Sequence, residues 1–243
     1  MLGEGKFALA IEEAQLHSAG GHHAEALRLA AQCIPELREE ISRGGDTLVE
    51  ARKLLAEALR VAGVSLFEQQ DLPAAMTCFQ EVVSIAAELQ DMRTVGFALH
   101  EMAYVATRWQ NFPQAVELSK GAIRANALAN CEPLAPMQGL AVADQLIGNF
   151  DEAEAVLRLA RESCEARGDL IHLGQALHEL GMAAAGRERW NDAIDCLVKA
   201  MRVKRISGDV RGLENSRQIL SQVVSRNPAA GRQELLKNDL ESM

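Results

Sequence analysis

The sequence predicts an all-α protein, an α-solenoid of antiparallel helix pairs with about five repeats and a terminal capping helix. An internal repeat carries this prediction, because an alanine opens each of five helical runs at intervals of 49, 40, 38 and 40 residues. The five are Ala26, Ala75, Ala115, Ala153 and Ala193. Aromatic residues make up only 4% of the 243 residues, and the abundant alanine and leucine favour helix over sheet.

The first helix of each predicted pair carries small and apolar residues at positions i, i+3 and i+4, which lie on one face of a helix. Leu177, Leu180 and Gly181 form one such set. Glycine inside a helix costs about 1 kcal/mol relative to alanine, so its use here predicts a close approach by the second helix. The third position is always small: Gly63, Ala103, Ala141 and Gly181.

A short turn joins the two helices of each pair, and a polar residue there is placed to cap the second helix. Asp71, Asn111 and Asn149 can accept hydrogen bonds from the free N–H groups at a helix start. Pro73 and Pro113 follow in the first helical turn, where the missing donor of proline is not needed. A bulky residue precedes the second helix and can pack onto the core: Leu72, Phe112, Phe150 or Trp190.

Glycine and proline mark the boundaries between repeats. In Gly168-Asp169 and Gly208-Asp209, the glycine is expected to end one helix and the aspartate to cap the next. Asp91 in Leu89-Gln90-Asp91 is expected to cap the following helix in the same way. Glu132-Pro133 and Ala135-Pro136 are expected to break the chain before the middle repeat. In the first repeat, Pro35 is expected to kink or end the second helix.

The ends of the chain depart from the repeat. The first pair is predicted as helices over residues 5–19 and 23–42, and residues 210–226 as the terminal capping helix. We therefore expect a repeat domain over residues 1–226. Residues 227–243 are expected to form a C-terminal helix or a flexible tail.

This pattern resembles the tetratricopeptide repeat (TPR) over about residues 5 to 220. The small position of the first helix, the bulky residue at the turn and the alanines of the second helix carry the resemblance. The period of about 40 residues exceeds the usual 34, as in repeats of bacterial regulators and kinesin light chain-type proteins. The family tyrosine is replaced by Leu66, Ala106, Asp144 and Ala184. The resemblance implies a right-handed superhelix.

The same resemblance implies that fixed positions of the first helices line a concave groove. A mixed groove of this kind suits an extended peptide or a partner helix. The alternative is that several of these residues pack inside a tightly wound superhelix. The chaperone-tail clamp of the family is not expected, because its Lys and Asn pair is absent. The implied groove residues are Arg60, Val64, Phe67, His100, Tyr104, Thr107, Gln138, Gln145, His178 and Met182.

No catalytic, cofactor or metal motif is found, so an enzyme is not expected. His100-Glu101 and His178-Glu179 do not continue to the HExxH zinc pattern, because Tyr104 and Met182 occupy the final position. Neither a phosphate-binding loop nor a nucleophile elbow occurs. Five loosely spaced cysteines predict small hydrophobic side chains in a reducing cytoplasm: Cys33, Cys78, Cys131, Cys164 and Cys196.

The charge pattern disfavours nucleic acid and membrane as partners. The net charge is -9, and neither a signal peptide nor a run of 18 apolar residues is found, so a cytoplasmic location is expected. Basic residues cluster late in the chain, and a solvated face of the last helix pair is favoured over a nucleic-acid site. The cluster consists of Lys199, Arg202, Lys204, Arg205, Arg211 and Arg217.

Three functions remain open from the sequence. The first is a protein-protein interaction scaffold that holds a peptide or protein segment in the concave groove. The second is a regulatory or sensor domain of a bacterial signalling or transcription system. The third is a self-assembling structural repeat protein that forms homo-oligomers through its solenoid ends.

Overall fold

The structure is a computed structural model that describes residues 2–44 and 48–227, and in this part of the chain the regular secondary structure is entirely helical. The all-α prediction is confirmed. The chain forms two compact units, unit 1 over Met1–Pro133 and unit 2 over Leu134–Met243. The helices are α1 Leu2–Ala19, α2 His23–Arg43, α3 Leu48–Glu68, α4 Leu72–Glu88, α5 Met92–Arg108, α6 Phe112–Leu128, α7 Leu134–Leu146, α8 Phe150–Arg167, α9 Leu170–Gly186, α10 Trp190–Ser207 and α11 Val210–Arg226.

Each unit is built from helix pairs. In unit 1, α1 packs on α2, α3 on α4 and α5 on α6, while the first helices α1, α3 and α5 also pack side by side. In unit 2, α7 packs on α8 and α9 on α10, and α7, α9 and α11 pack side by side. The first helices therefore form one row in each unit, and the candidate site lies on these rows.

The repeated small residues are the points where the two helices of a pair touch. The five repeat alanines are each the fourth residue of their helix and are completely buried. A Cβ atom on Gly63 would lie 2.7 Å from Cε1 of Phe79, and one on Gly181 would lie 2.7 Å from Cγ of Leu197. The predicted close approach at both glycines is confirmed.

From α3 onward, the turns follow a period of 20 residues within each unit. A left-handed residue follows each of the helices α3 to α10. The next residue donates its N–H to the carbonyl five residues back, as Asp71 does to Leu66 at 2.9 Å. Because Asp71 also accepts a hydrogen bond from the N–H of Ala74, one residue ends a helix and caps the next. The left-handed residues from α3 onward are Gln70, Gln90, Gln110 and Asn130 in unit 1, and Gly148, Gly168, Glu188 and Gly208 in unit 2.

Most predicted caps are confirmed, with one exception. Asp91, Asp169 and Asp209 accept backbone N–H groups at 3.1, 3.2 and 2.8 Å, and Asn111 accepts one at 3.4 Å. The prediction for Asn149 is wrong, because its side chain makes no capping bond. Its amide instead donates to the carboxylate of Asp144, the last-turn residue of the preceding helix, at 3.4 Å.

Two proline predictions need correction, one of them in part. Pro35 does not end its helix, since α2 continues to Arg43, and the alternative that it kinks the helix stays a prediction. Buried contacts of Cys33 and Leu37 with the core on either side of Pro35 hold the helix in place. Ala135-Pro136 does not break the chain either, because α7 already begins at Leu134. Pro136 lies in the first turn, where a helix tolerates proline.

The capping helix forms over the predicted residues. Leu220 and Val223 of α11 pack on Ile194 and Leu197 of α10, and so cover the end of unit 2. The prediction of a C-terminal helix or flexible tail over residues 227–243 lies outside the described residues from position 228 on. A single repeat domain over residues 1–226 stays a prediction. No helix in the described ranges is long and apolar enough to cross a membrane. None of the five cysteines, all of which lie in the described ranges, forms a disulfide, and Cys33 and Cys164 are buried.

Candidate functional site

The ten predicted groove residues divide between the units. Six lie on α3 and α5 of unit 1, and four lie on α7 and α9 of unit 2. His100, Gln138 and His178 are buried, Tyr104 is exposed, and the other six are half-buried. Val64 and Phe67 pack against the core formed by Phe79 and its neighbours, so part of the predicted set also has a packing role.

A cavity of about 510 Å³ opens on the row of first helices in unit 2, and we call it the unit 2 cavity. Gln145, His178 and Met182 line it, whereas Gln138 does not. The amide of Gln138 instead donates to the carbonyl of His172 at 3.0 Å and ties α7 to α9. Much of the wall is apolar and comes from Val142, Phe150, Met182, Trp190, Ile219 and Val223.

Glu179 is the acidic group of the unit 2 cavity. Burial raises the pKa of this carboxyl to about 7, although the nearby Lys204 and a hydrogen bond from Gln145 oppose the rise. The Gln145 amide also lies 3.3 Å from the backbone carbonyl of Glu179, to which it donates. The cavity therefore combines an apolar wall with a carboxyl that titrates near neutral pH.

A buried polar network lies behind the cavity. Nζ of Lys204 donates to Oγ of Ser216 at 2.9 Å and to the carbonyl of Gly212 at 3.3 Å. Oγ of Ser216 lies 3.0 Å from Nδ1 of His178. Burial, assisted by the charge of Lys204, lowers the pKa of His178 to about 4, so its imidazole is neutral at pH 7.

The prediction that Lys204 belongs to a solvated basic face is wrong. Only 3% of the residue is exposed. Its ammonium group is drawn inward by the two oxygen acceptors on α11. The other members of the cluster are exposed, as expected: Lys199, Arg202, Arg205, Arg211 and Arg217.

Unit 1 presents a more polar site on its row of first helices. The guanidinium of Arg60 bonds to the carboxylate of Glu57 at 2.8 to 2.9 Å and lies 5.4 Å from the ring centre of Phe97. The Gln15 amide donates to the same Glu57 carboxylate at 2.9 Å. Side chains of α1, α3 and α5 therefore meet around Arg60.

His100 and Glu101 occupy in unit 1 the repeat positions of His178 and Glu179. Burial lowers the pKa of His100 to about 4 and raises that of Glu101 to about 7, the latter against the charge of Arg60. The His100 ring lies 4.7 Å from that of Tyr104, edge to face. Nδ1 of His100 is buried and has no hydrogen-bond partner among the described residues. Thr107 donates to the carbonyl of Ala103 at 2.9 Å.

Sequence reasoning missed Glu101 and Glu179 as functional candidates. The identical Ala-Leu-His-Glu segments at residues 98–101 and 176–179 could have pointed to them, because the glutamate recurs with the histidine. It also missed the contribution of Trp190 and of α11, since the groove positions of the resemblance lie on the first helices of pairs. Among the described residues, no group of three or more His, Cys, Asp or Glu side chains is arranged to hold a metal ion.

Neither a protein-family model nor a curated protein matches the sequence. Solved structures do match. The TPR-like repeats of a kinesin light chain candidate from Podosopora anserina are 18% identical, with a TM-score of 0.65 over 86% of this chain and 99% of that chain. A Rap protein solved in complex with Competence and Sporulation Factor is 13% identical, with a TM-score of 0.64 over 93% and 66% of the two chains.

A third structure is YrrB, described as a TPR protein with an unusual peptide-binding site. It is 16% identical, with a TM-score of 0.51 over 86% of this chain and 90% of that chain. Identities this low establish the fold and leave the function to be argued from the site. The predicted resemblance is confirmed at that level, and the chain has the fold of the TPR-like helical repeat proteins.

Proposed function

We propose that this chain is a protein-interaction scaffold that holds a peptide or protein segment against its rows of first helices. The unit 2 cavity anchors the segment by taking up one apolar side chain. The single observation that carries the proposal is this cavity of about 510 Å³, in which an apolar wall surrounds a few polar groups. Both the volume and the composition are typical of ligand sites in proteins.

One of the similar structures supports a peptide as the ligand, since YrrB is described as a TPR protein with an unusual peptide-binding site. Another, the Rap protein, is complexed with Competence and Sporulation Factor, which supports a binding role for the fold. Unit 1, taken by itself, offers the Arg60 site and the exposed ring of Tyr104 as contacts for a segment on its own row of first helices. A cytoplasmic location is part of the proposal, and the absence of disulfides among the five cysteines fits a reducing compartment.

The test is a peptide selection followed by one pair of variants. Peptides are selected from a random display library on the full chain, and their affinities are measured by fluorescence anisotropy. Met182→Arg places a charge in the cavity wall and is expected to weaken binding at least tenfold. Ile171→Arg changes an exposed residue of the same helix outside the cavity and is expected to leave the affinity unchanged.

Two outcomes contradict this function. A library that yields no enriched peptide argues against a peptide scaffold, and selected peptides that bind both variants equally argue against the unit 2 cavity as the anchor. A regulatory or sensor role remains the second candidate, because the fold matches that of a Rap protein solved with a factor bound. It predicts that the selected peptides also change binding of this chain to an effector protein.

A further inference from the structure

We infer that His178 donates a hydrogen bond into the unit 2 cavity through Nε2–H, and that the anchored segment presents a backbone carbonyl to this donor. Ser216 and Lys204 fix the tautomer of His178 that carries the proton on Nε2. The carbonyl contact with the ligand rests on the proposed function. The tautomer of His178 rests only on the hydrogen bonds among Lys204, Ser216 and His178, so either claim can fail without the other.

The directions of the hydrogen bonds follow from the chemistry of the groups. An ammonium group only donates, so Ser216 Oγ accepts from Lys204 Nζ at 2.9 Å. Ser216 is completely buried, and its hydroxyl proton needs an acceptor, because an unsatisfied buried donor costs about 1–3 kcal/mol. Its other hydrogen-bond partner is Nδ1 of His178, 3.0 Å away. The hydroxyl proton therefore points to Nδ1, which accepts.

An accepting Nδ1 places the ring proton on Nε2. The imidazole is neutral at pH 7, since burial lowers its pKa to about 4. A neutral imidazole carries one proton, and with Nδ1 as the acceptor the proton lies on Nε2. Because Nδ1 is engaged by α11 and the residue lines the cavity, Nε2–H is the group left for a ligand.

The surroundings of this donor define the acceptor that it suits. An apolar side chain that enters the cavity brings its own backbone carbonyl along, and a carbonyl is a neutral acceptor. Charged groups of both signs, Glu179 and Arg226, line the cavity, and a neutral carbonyl requires neither of them as a partner. The apolar wall and the His178 donor therefore suit an internal apolar residue of a peptide.

His100 is an internal control. It stands at the same position of its repeat and is equally buried, yet its Nδ1 has no hydrogen-bond partner among the described residues. No serine fixes its tautomer. A property of His178 that His100 lacks is therefore due to the Ser216 contact and not to burial.

The tautomer is tested on the full chain with ¹⁵N-labelled histidine by long-range ¹H–¹⁵N correlation at pH 7. The expected result is a proton on Nε2 and none on Nδ1 of His178. Ser216→Ala should allow both tautomers at His178 and leave His100 unchanged. Ser119→Ala alters a buried serine that has no hydrogen-bond partner in the part of the chain that the structure describes, and it should change neither histidine. A proton on Nδ1 of His178 in the unmodified chain overturns the inference without any variant.

The ligand part is tested with N-acetyl-L-leucine N-methylamide, which offers one apolar side chain between two amide carbonyls. Titration should shift the Nε2–H resonance of His178. His178→Phe should weaken binding about tenfold, the loss expected for one hydrogen bond, whereas Ile171→Arg, which lies outside the cavity, should have no effect. A probe that binds without moving the Nε2–H resonance overturns the carbonyl contact. A probe that does not bind overturns it as well and, together with an empty library selection, overturns the proposed function.

Discussion

A neutral histidine followed by a glutamate that titrates near pH 7 occurs on both α5 and α9. Folding lowers the pKa of His100 and His178 from 6.5 to about 4 and raises that of Glu101 and Glu179 from 4.5 to about 7. Between pH 4.5 and 6.5 the unfolded chain binds more protons at the histidines, and the folded chain binds more at the glutamates. The two effects on stability therefore have opposite signs.

The double variant Glu101→Gln with Glu179→Gln should separate these effects. The glutamates stabilise the fold fully below pH 4.5, and this contribution is lost as the pH rises through about 7. Without them, the free energy of unfolding should increase as the pH rises from 4 to 6.5, because the buried histidines become neutral in the unfolded chain too. Urea unfolding followed by circular dichroism at four pH values measures this, and equal pH slopes for variant and unmodified chain contradict it.

Gly63→Ala and Gly181→Ala should destabilise the fold by about 1–3 kcal/mol each. The new methyl groups would lie 2.7 Å from Phe79 and Leu197, and this overpacking outweighs the gain of about 1 kcal/mol in helix propensity. Gly5→Ala is the control, since nothing lies within 4 Å of its Cβ position, and it should be neutral or stabilising. Thermal unfolding compares the three variants, and a more stable Gly181→Ala chain would refute the close-approach explanation.

At the scale of the helix, one residue serves both ends of a turn. Asp209 donates its N–H to the carbonyl of Lys204 at 2.9 Å, and its carboxylate accepts from the N–H of Gly212 at 2.8 Å. The backbone bond closes α10 and the side-chain bond starts α11. Helix boundaries that depend on such local chemistry can be predicted from sequence, and those at Asp91, Asp169 and Asp209 were.

Asp209→Ala should cost about 0.5–2 kcal/mol, because it removes a capping bond that the structure contains. Asn149→Ala should cost less, since Asn149 makes no such bond although its sequence suggests one. The free energies of unfolding of the two variants test this order. A larger loss at Asn149 would show that its contact with Asp144 outweighs a helix cap.

The features that sequence did not predict depend on tertiary packing. Lys204 reads as a surface lysine, and only the position of α11 shows that its ammonium group reaches Ser216. Gln138 and His178 stand at equivalent groove positions, yet only His178 lines the unit 2 cavity. Repeat spacing assigns a residue to a helix face. It does not decide whether the neighbouring helix covers that residue.

At the scale of the whole molecule, α11 protects the apolar end of unit 2. Solenoids need a capped end to stay soluble, and α11 covers Ile194 and Leu197. A chain that ends at Gly208 should therefore lose stability and self-associate, whereas one that ends at Asn227 and keeps α11 should behave like the full chain. Light scattering across a concentration series distinguishes them, and a monomeric, stable chain ending at Gly208 contradicts this role.

The 20-residue period of the turns makes the helix pair an interchangeable module. Gln70-Asp71 and Gln110-Asn111 have the same geometry, with a left-handed residue followed by a capping residue that bonds back to the preceding helix. Deletion of residues 71–110 would join Gln70 directly to Asn111 and recreate that junction without a new linker. A repeat could be lost or duplicated in the same way, so chains of different length can share one turn chemistry.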